Sequence, residues 1–334
     1  MKTIRIQQFL MVALLALVAT AAQARSWRIN HDAMQAPDFT DINAAMASSD
    51  VVEGDTLYLD PGCGLTTEQH VSKQVTIIGC GYFRAEAPHA MASVLNNLWV
   101  AAPYTKIEGV VFSNNVNIMA SNVVLERCKV SGNIIVASTD KYNGSFRTAQ
   151  NVTIRQCYAV SVSGAGRTDM RSAYCTIENS ILLQNGSQVM WGLYFPTIKN
   201  CYLRQAINSY IFDSVSHATV VNTIMLNTRT ASSIWYNSDS ELDQNNISSA
   251  TTGNTEANIF ALEGADDHRY QLKDDSPAKS AGADGTDCGP FGGDTPYVIG
   301  GLPAGHPYYT KATIAPRSEN DQVKVSLQIK MQDE

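Results

Sequence analysis

The sequence predicts an all-β solenoid, a column of short parallel strands stacked rung upon rung. The first observation is a repeated fragment. "TIENSIL" (176–182), "TIKNCYL" (197–203) and "TVVNTIM" (219–225) each read as a β-branched pair, one variable residue, an Asn, a small Ser, Cys or Thr, then apolar residues. The second is spacing. Anchored on its second apolar residue, the fragment recurs at Ile77, Ile107, Leu125, Ile154, Ile177, Ile198 and Val220, with a unit of about 22 residues from Ile107 onward. The third is period. Short strand signals fill the units without helical periodicity, and the Leu-x-x-Leu-x-Leu pattern of leucine-rich repeats is missing.

Stacking the units assigns each column a role. Three residues after the anchor stand Cys80, Val110, Cys128, Cys157, Ser180, Cys201 and Thr223, all compact, as a tightly packed inward position requires. These cysteines are expected as core thiols; adjacent rungs lie close enough for a disulfide, and a metal site lacks His partners. Two residues after the anchor stand Asn179, Asn200 and Asn222. Asn tolerates the left-handed conformation of a sharp bend, and stacked amides can bond from rung to rung. A catalytic reading would need three identical sites in a column, so the motif is architecture. One residue after the anchor, Glu108, Glu126, Arg155, Glu178 and Lys199 should point outward as a surface ion-pair ladder.

Length and charge bound the function. The 334 residues suffice for a sizeable core, and 44% hydrophobic with 16% charged residues describes an ordered chain. A net charge of −7 argues against wholesale nucleic-acid binding. At the N-terminus Lys2 and Arg5 precede an apolar run from Phe9 that ends at Ala22-Gln23-Ala24. That is the order of a signal peptide (1–24) with a small-residue cleavage site, and the run is short for a spanning helix. The expectation is an exported protein, periplasmic, extracellular or at the cell surface, with no membrane insertion after cleavage.

The chain resembles the pectate-lyase-like right-handed parallel β-helix proteins. "FTDINAAMASSD" reads as a capping helix within an N-terminal segment (25–55) and leads into "EGDTLYLDPG" and "VTIIGCG". "YQLKDDSPAKSAGADGTDCGPFGG" is similar to the closing segment of such chains and implies that Cys288 is buried. The solenoid is therefore expected over 56–293. Residues 294–334 form a C-terminal extension, a Pro/Gly-rich connection and two short strands around "SENDQ", expected as a hairpin cap over the exposed last rung.

Chemistry is less legible. "VMWGLYF" (189–195), "SYIFDSV" (209–215) and "SIWYNSD" (233–239) read as strands. With Met190, Ile211 and Ile234 inward, alternation turns Trp191, Phe212 and Trp235 outward, beside Tyr236, as a platform for sugar rings. A register one residue off would bury the same aromatics. Two insertions, 138–150 and 163–174, carry Lys141, Arg147, Arg167 and Arg171, a local basic excess suited to an anionic polysaccharide, with solvated loop charge as the competing reading. The resemblance implies a polysaccharide lyase before a glycoside hydrolase, with Ca²⁺ as cofactor if lyase; no cofactor is evident from the residues themselves. Asp213, His217 and Asp239 are the candidate acids and base, and only Asp213 with Asp239 or Glu241 could form a carboxylate pair. The competing function is a non-catalytic structural or adhesive surface protein.

Overall fold

The computed structural model describes residues 24–82, 91–139, 144–164, 172–207, 209–228, 234–236, 238, 245–264, 266–283, 285–303, 305, 307–314, 322 and 325–331. The expected signal segment, with Lys141, Arg167, Arg171, Asp239 and Glu241, lies outside the described residues.

Two parallel sheets run the length of the molecule with their strands in chain order, the topology of a parallel β-helix. Among the described residues the first sheet has nine strands, from Ser26–Ile29 and Thr56–Leu59 through Lys106–Glu108 and Thr176–Glu178 to Thr219–Val221. The expected anchors are its core ladder: Ile77, Ile107, Leu125, Ile154, Ile177, Ile198 and Val220 pair in register and are fully buried, and Leu57 extends the ladder by one rung before them. The second sheet joins two strand columns, which are continuous where Lys129–Ile135 and Tyr158–Ser163 run through both. At the N-terminal end Ile42–Ala47 forms the capping helix. Asp41 accepts from the Ala44 N–H at 2.7 Å, and Ile42, Ala45 and Met46 are buried.

The small column three residues after the anchor has a chemical reason beyond size. Cys128, Cys157, Ser180, Cys201 and Thr223 each donate to the carbonyl two residues earlier, at 3.1, 3.3, 2.9, 3.2 and 3.0 Å. Each of those carbonyls also accepts a backbone N–H from a neighbouring rung, so the thiol or hydroxyl occupies its second lone pair. All seven cysteines are free, and Cys288 is 1% exposed. Burial pushes the Cys175 and Cys201 thiols up to about 12. Iodoacetamide at mildly alkaline pH should therefore leave these two unmodified in the folded protein. After denaturation all seven should alkylate without reductant; two thiols that stay unreactive then would reveal a disulfide.

The bend two residues after the anchor is left-handed in every rung from Gly109 on, at Arg127, Gln156, Asn179, Asn200 and Asn222, with φ between 47° and 67°. The amides of Asn179, Asn200 and Asn222, expected to bond from rung to rung, turn instead to the C-terminal segment. They dock a C-terminal strap that runs back along the solenoid. Asn222 Oδ1 accepts from Ala283 N, and Asn200 Nδ2 donates to Gly292 O. Asn179 Nδ2 reaches Pro290 O and Gly292 O, and Gln156 Nε2 reaches Pro296 O at 2.7 Å. Arg127 Nη1 donates to Leu302 O at 3.1 Å. The strap's glycines follow from this contact: a Cβ on Gly293 (φ +74°) would lie 2.0 Å from Asn200 Nδ2, and one on Gly301 (φ +56°) 2.1 Å from the Tyr82 ring. Asp267 Oδ2 accepts from Gly300 N and from the Tyr297 hydroxyl, which in turn meets the Tyr82 hydroxyl at 2.7 Å.

The strap and the segment before it cover a second core. Ile181, Tyr202 and Ile224 stack on the outer face of the second sheet beneath Ile259, Phe260, Tyr270, Ala278, Cys288 and Tyr297. The ion ladder pairs as expected, with Arg155 Nε 2.9 Å from Glu126 and Glu178 in register with Lys199, but its first two carboxylates do not point out to solvent. Glu108 and Glu126 are only 5% exposed, bridged by Lys106 Nζ at 2.8 and 3.0 Å and flanked by Arg127 and Arg155. The segment 294–303 is thus part of the strap. The strands around "SENDQ" form the hairpin Pro307–Ile314 with Val325–Met331; among the described residues they pair only with each other.

Candidate functional site

The third strand of each rung sets the register of the aromatic face. Met190 pairs with Phe212 and Phe212 with Trp235, while Trp191 pairs with Asp213 and Asp213 with Tyr236. The expected alignment is therefore one residue out in the second and third strands. Phe212 is fully buried and stacks on Trp235, which packs against the core, with ring centroids 4.2 Å apart. Ile211 and Ile234, immediately before them, are buried as expected; the bend into each strand lets two successive residues face inward. Phe212 is a core residue, and Trp235 is a half-buried ring packed on it.

What turns outward is Trp191, Asp213 and Tyr236, on three successive rungs, with Ser163 on the rung before. Trp191 is 39% and Tyr236 46% exposed, and Asp213 is recessed between them at 8%. The Asp213 carboxylate is held from both sides: Gln188 Nε2 donates to Oδ2 at 3.0 Å and Ser214 Oγ to Oδ1 at 2.8 Å. Tyr236 is braced by Tyr210, with centroids 4.7 Å apart and planes 18° apart.

A second exposed column lies at the next corner and was not anticipated. Three residues before each anchor from Ile107 on stand Tyr104, Asn122, Asn151, Tyr174, Phe195 and His217, all left-handed, with φ between 53° and 61°. In the earlier rungs Asn151 Nδ2 bonds to Asn122 Oδ1 at 3.3 Å. In the later rungs the column becomes an aromatic stack, with Tyr174 to Phe195 at 5.6 Å and Phe195 to His217 at 4.7 Å. Tyr194 sits edge-on to both Phe195 and His217. The sequence signal was present, since Tyr174, Phe195 and His217 occupy one slot relative to Ile177, Ile198 and Val220. Rings stacked this way use their faces on one another and offer mainly edges to solvent. The His217 imidazole is the last step of that stack.

Both insertions leave the same arc of the rung, between the third strand and this corner, on the N-terminal side of Trp191. The first forms an antiparallel hairpin of Ala137–Thr139 with Phe146–Thr148, which places Arg147 opposite Ser138.

In register, the neighbours of Asp213 are Trp191 and Tyr236, so the described residues bring no second carboxylate to it. Among them no group of three His, Cys, Asp or Glu could hold a metal ion. Two exposed rings around a fixed, recessed acceptor form a surface that fits flat apolar faces with hydroxyl groups at their rims. No protein-family model matches the chain, and no curated protein matches its sequence.

Proposed function

We propose that this is an exported parallel β-helix protein, akin to the pectate-lyase-like group, that engages polysaccharide on the flank bearing Trp191, Asp213 and Tyr236. One observation carries the reading: register puts two exposed aromatic rings and a carboxylate into a single outward column of a rigid sheet. Pyranose rings have apolar C–H faces and hydroxyl rims, which such a column complements. Arg147 on its hairpin would border the flank on one side, and the same two insertions carry Lys141, Arg167 and Arg171 in sequence. The leader-like residues 1–24 support export. Among the described residues no helix is long and apolar enough to cross a membrane.

The test is a panel of pectic, algal, glycosaminoglycan and neutral polymers in affinity gels, with and without calcium. Ultraviolet absorbance reports unsaturated uronates, and reducing-end release reports hydrolysis. At least one polymer should retard the protein, and Trp191→Ala should abolish the retardation. Product formation would add lyase or hydrolase activity to binding. Retention of no polymer across the panel would overturn the proposal and leave the structural or adhesive reading.

A further inference from the structure

The proposed polysaccharide site can be taken one step further, to the charge and direction of its ligand, and this step rests on that proposal. We propose that the flank takes an uncharged glycan chain lying along the solenoid axis, with sugar rings on Trp191 and Tyr236 and a hydroxyl of the sugar between them donating to Asp213.

Direction follows from the register. Trp191, Asp213 and Tyr236 are partners on three successive parallel strands, so the line joining them is the solenoid axis. Adjacent strands are about 4.8 Å apart, which puts the two aromatic positions roughly 10 Å apart. That is close to the repeat of two sugars in an extended pyranose chain, so alternate residues would meet the rings. The neighbouring stack of Tyr174, Phe195 and His217 uses its ring faces internally. Among the described residues no ring stacks on Trp191, and Tyr210 covers one face of the 46%-exposed Tyr236, so the ligand would use the Trp191 face and the second face of Tyr236.

Charge follows from Asp213. Gln188 and Ser214 each donate to one of its oxygens, which fixes the carboxylate while leaving lone pairs open for further donors. Among the described residues no Lys, Arg or His forms an ion pair with it. A sugar hydroxyl placed there makes a charge-assisted hydrogen bond. A uronate or sulfate placed there meets a like charge that no cation among the described residues pairs, in a protein whose net charge is already −7. Arg147, the described basic residue of the insertions, lies on the hairpin that follows the Lys129–Ile135 strand, three rungs before the Asp213 step.

The experiment is calorimetric titration of the secreted chain with hexasaccharides: neutral glucans, mannans, xylans and galactans on one side, oligogalacturonate and oligoalginate on the other, at low and high salt. A neutral hexasaccharide should bind with an affinity nearly independent of salt. Trp191→Ala should weaken it at least tenfold and Tyr236→Ala at least fivefold; both side chains are more than a third exposed, so these variants should keep the wild-type melting temperature. Asp213→Asn should weaken the neutral ligand several-fold and reduce discrimination against uronates. Binding confined to uronates and lost at high salt would overturn this inference while upholding the polysaccharide site. Neutral binding unchanged in Trp191→Ala and Tyr236→Ala would overturn its placement on this column. No binding to either class would overturn the site proposal itself.

Discussion

Arg127→Ala should cost about 3–5 kcal/mol of unfolding free energy, the range seen when one member of a buried ionic group is removed. The side chain is 6% exposed and serves four partners. Nε donates to Gln156 Oε1 at 2.8 Å, Nη1 reaches the Leu302 carbonyl of the strap, and Glu108 and Glu126 lie 3.7 and 3.9 Å away. Truncation would take one cation from two nearly buried carboxylates that Lys106 and Arg155 also serve, and would free one strap carbonyl. Burial by itself would raise the Glu126 carboxyl, but hydrogen bonds from Arg155 and Lys106 outweigh it and hold the group below its ordinary value of 4.5. A depressed carboxyl adds stability above that ordinary value and withdraws it as pH falls through the folded-state value. Wild-type stability should therefore decline on acidification below about pH 4.5, and Glu126→Gln should flatten that part of the curve. Urea unfolding across this pH range measures both effects. A loss below about 1 kcal/mol in Arg127→Ala would show that Lys106 and Arg155 suffice.

Phe212→Ala and Trp191→Ala should behave as opposites although both are aromatic residues of the same strand column. Phe212 has no exposed surface and stacks on Trp235, so its removal opens a core cavity and should cost about 3–5 kcal/mol. Trp191 is 39% exposed and should cost less than about 1 kcal/mol on truncation. Carbohydrate retention should vanish in Trp191→Ala, whereas Phe212→Ala should retain it at temperatures where it remains folded. Equal destabilisation by the two would place the register back where alternation from Met190, Ile211 and Ile234 had put it.

Why the sequence led to the fold but not fully to the site is visible in particular residues. The anchors from Ile77 to Val220 and the small column after them repeat at nearly fixed offsets, because parallel stacking forces equivalent residues into one environment. Asn179, Asn200 and Asn222 were legible as bends for the same reason, whereas Arg127 and Gln156 adopt the same left-handed bend without the expected residue type. Their side chains are fixed by the strap, a partner more than 130 residues away in the chain as with Gln156 and Pro296. No local pattern announces such a contact, and it also explains how Glu108 and Glu126 became buried. The aromatic strands failed differently. Met190–Trp191, Phe212–Asp213 and Trp235–Tyr236 are two residues long, too short for alternation to fix the phase. Tyr174, Phe195 and His217 escaped notice because the arcs leading to them vary in length, which hides their common distance from the anchor that follows.

The strap also imposes an order on folding. A solenoid held only by neighbouring rungs could wind up progressively from its N-terminus, each turn finishing as the chain lengthens. Here the Tyr82 hydroxyl, in an early rung, finds its partner on Tyr297, 215 residues later. Arg127 waits 175 residues for the Leu302 carbonyl. The early turns can therefore assemble in sequence but cannot lock until nearly the whole chain has emerged. Loop closure over such distances comes late because its entropy must be met before the contacts return anything. The barrier to unfolding is set at the same place, since losing the last laid segment reopens the first turns together with the last.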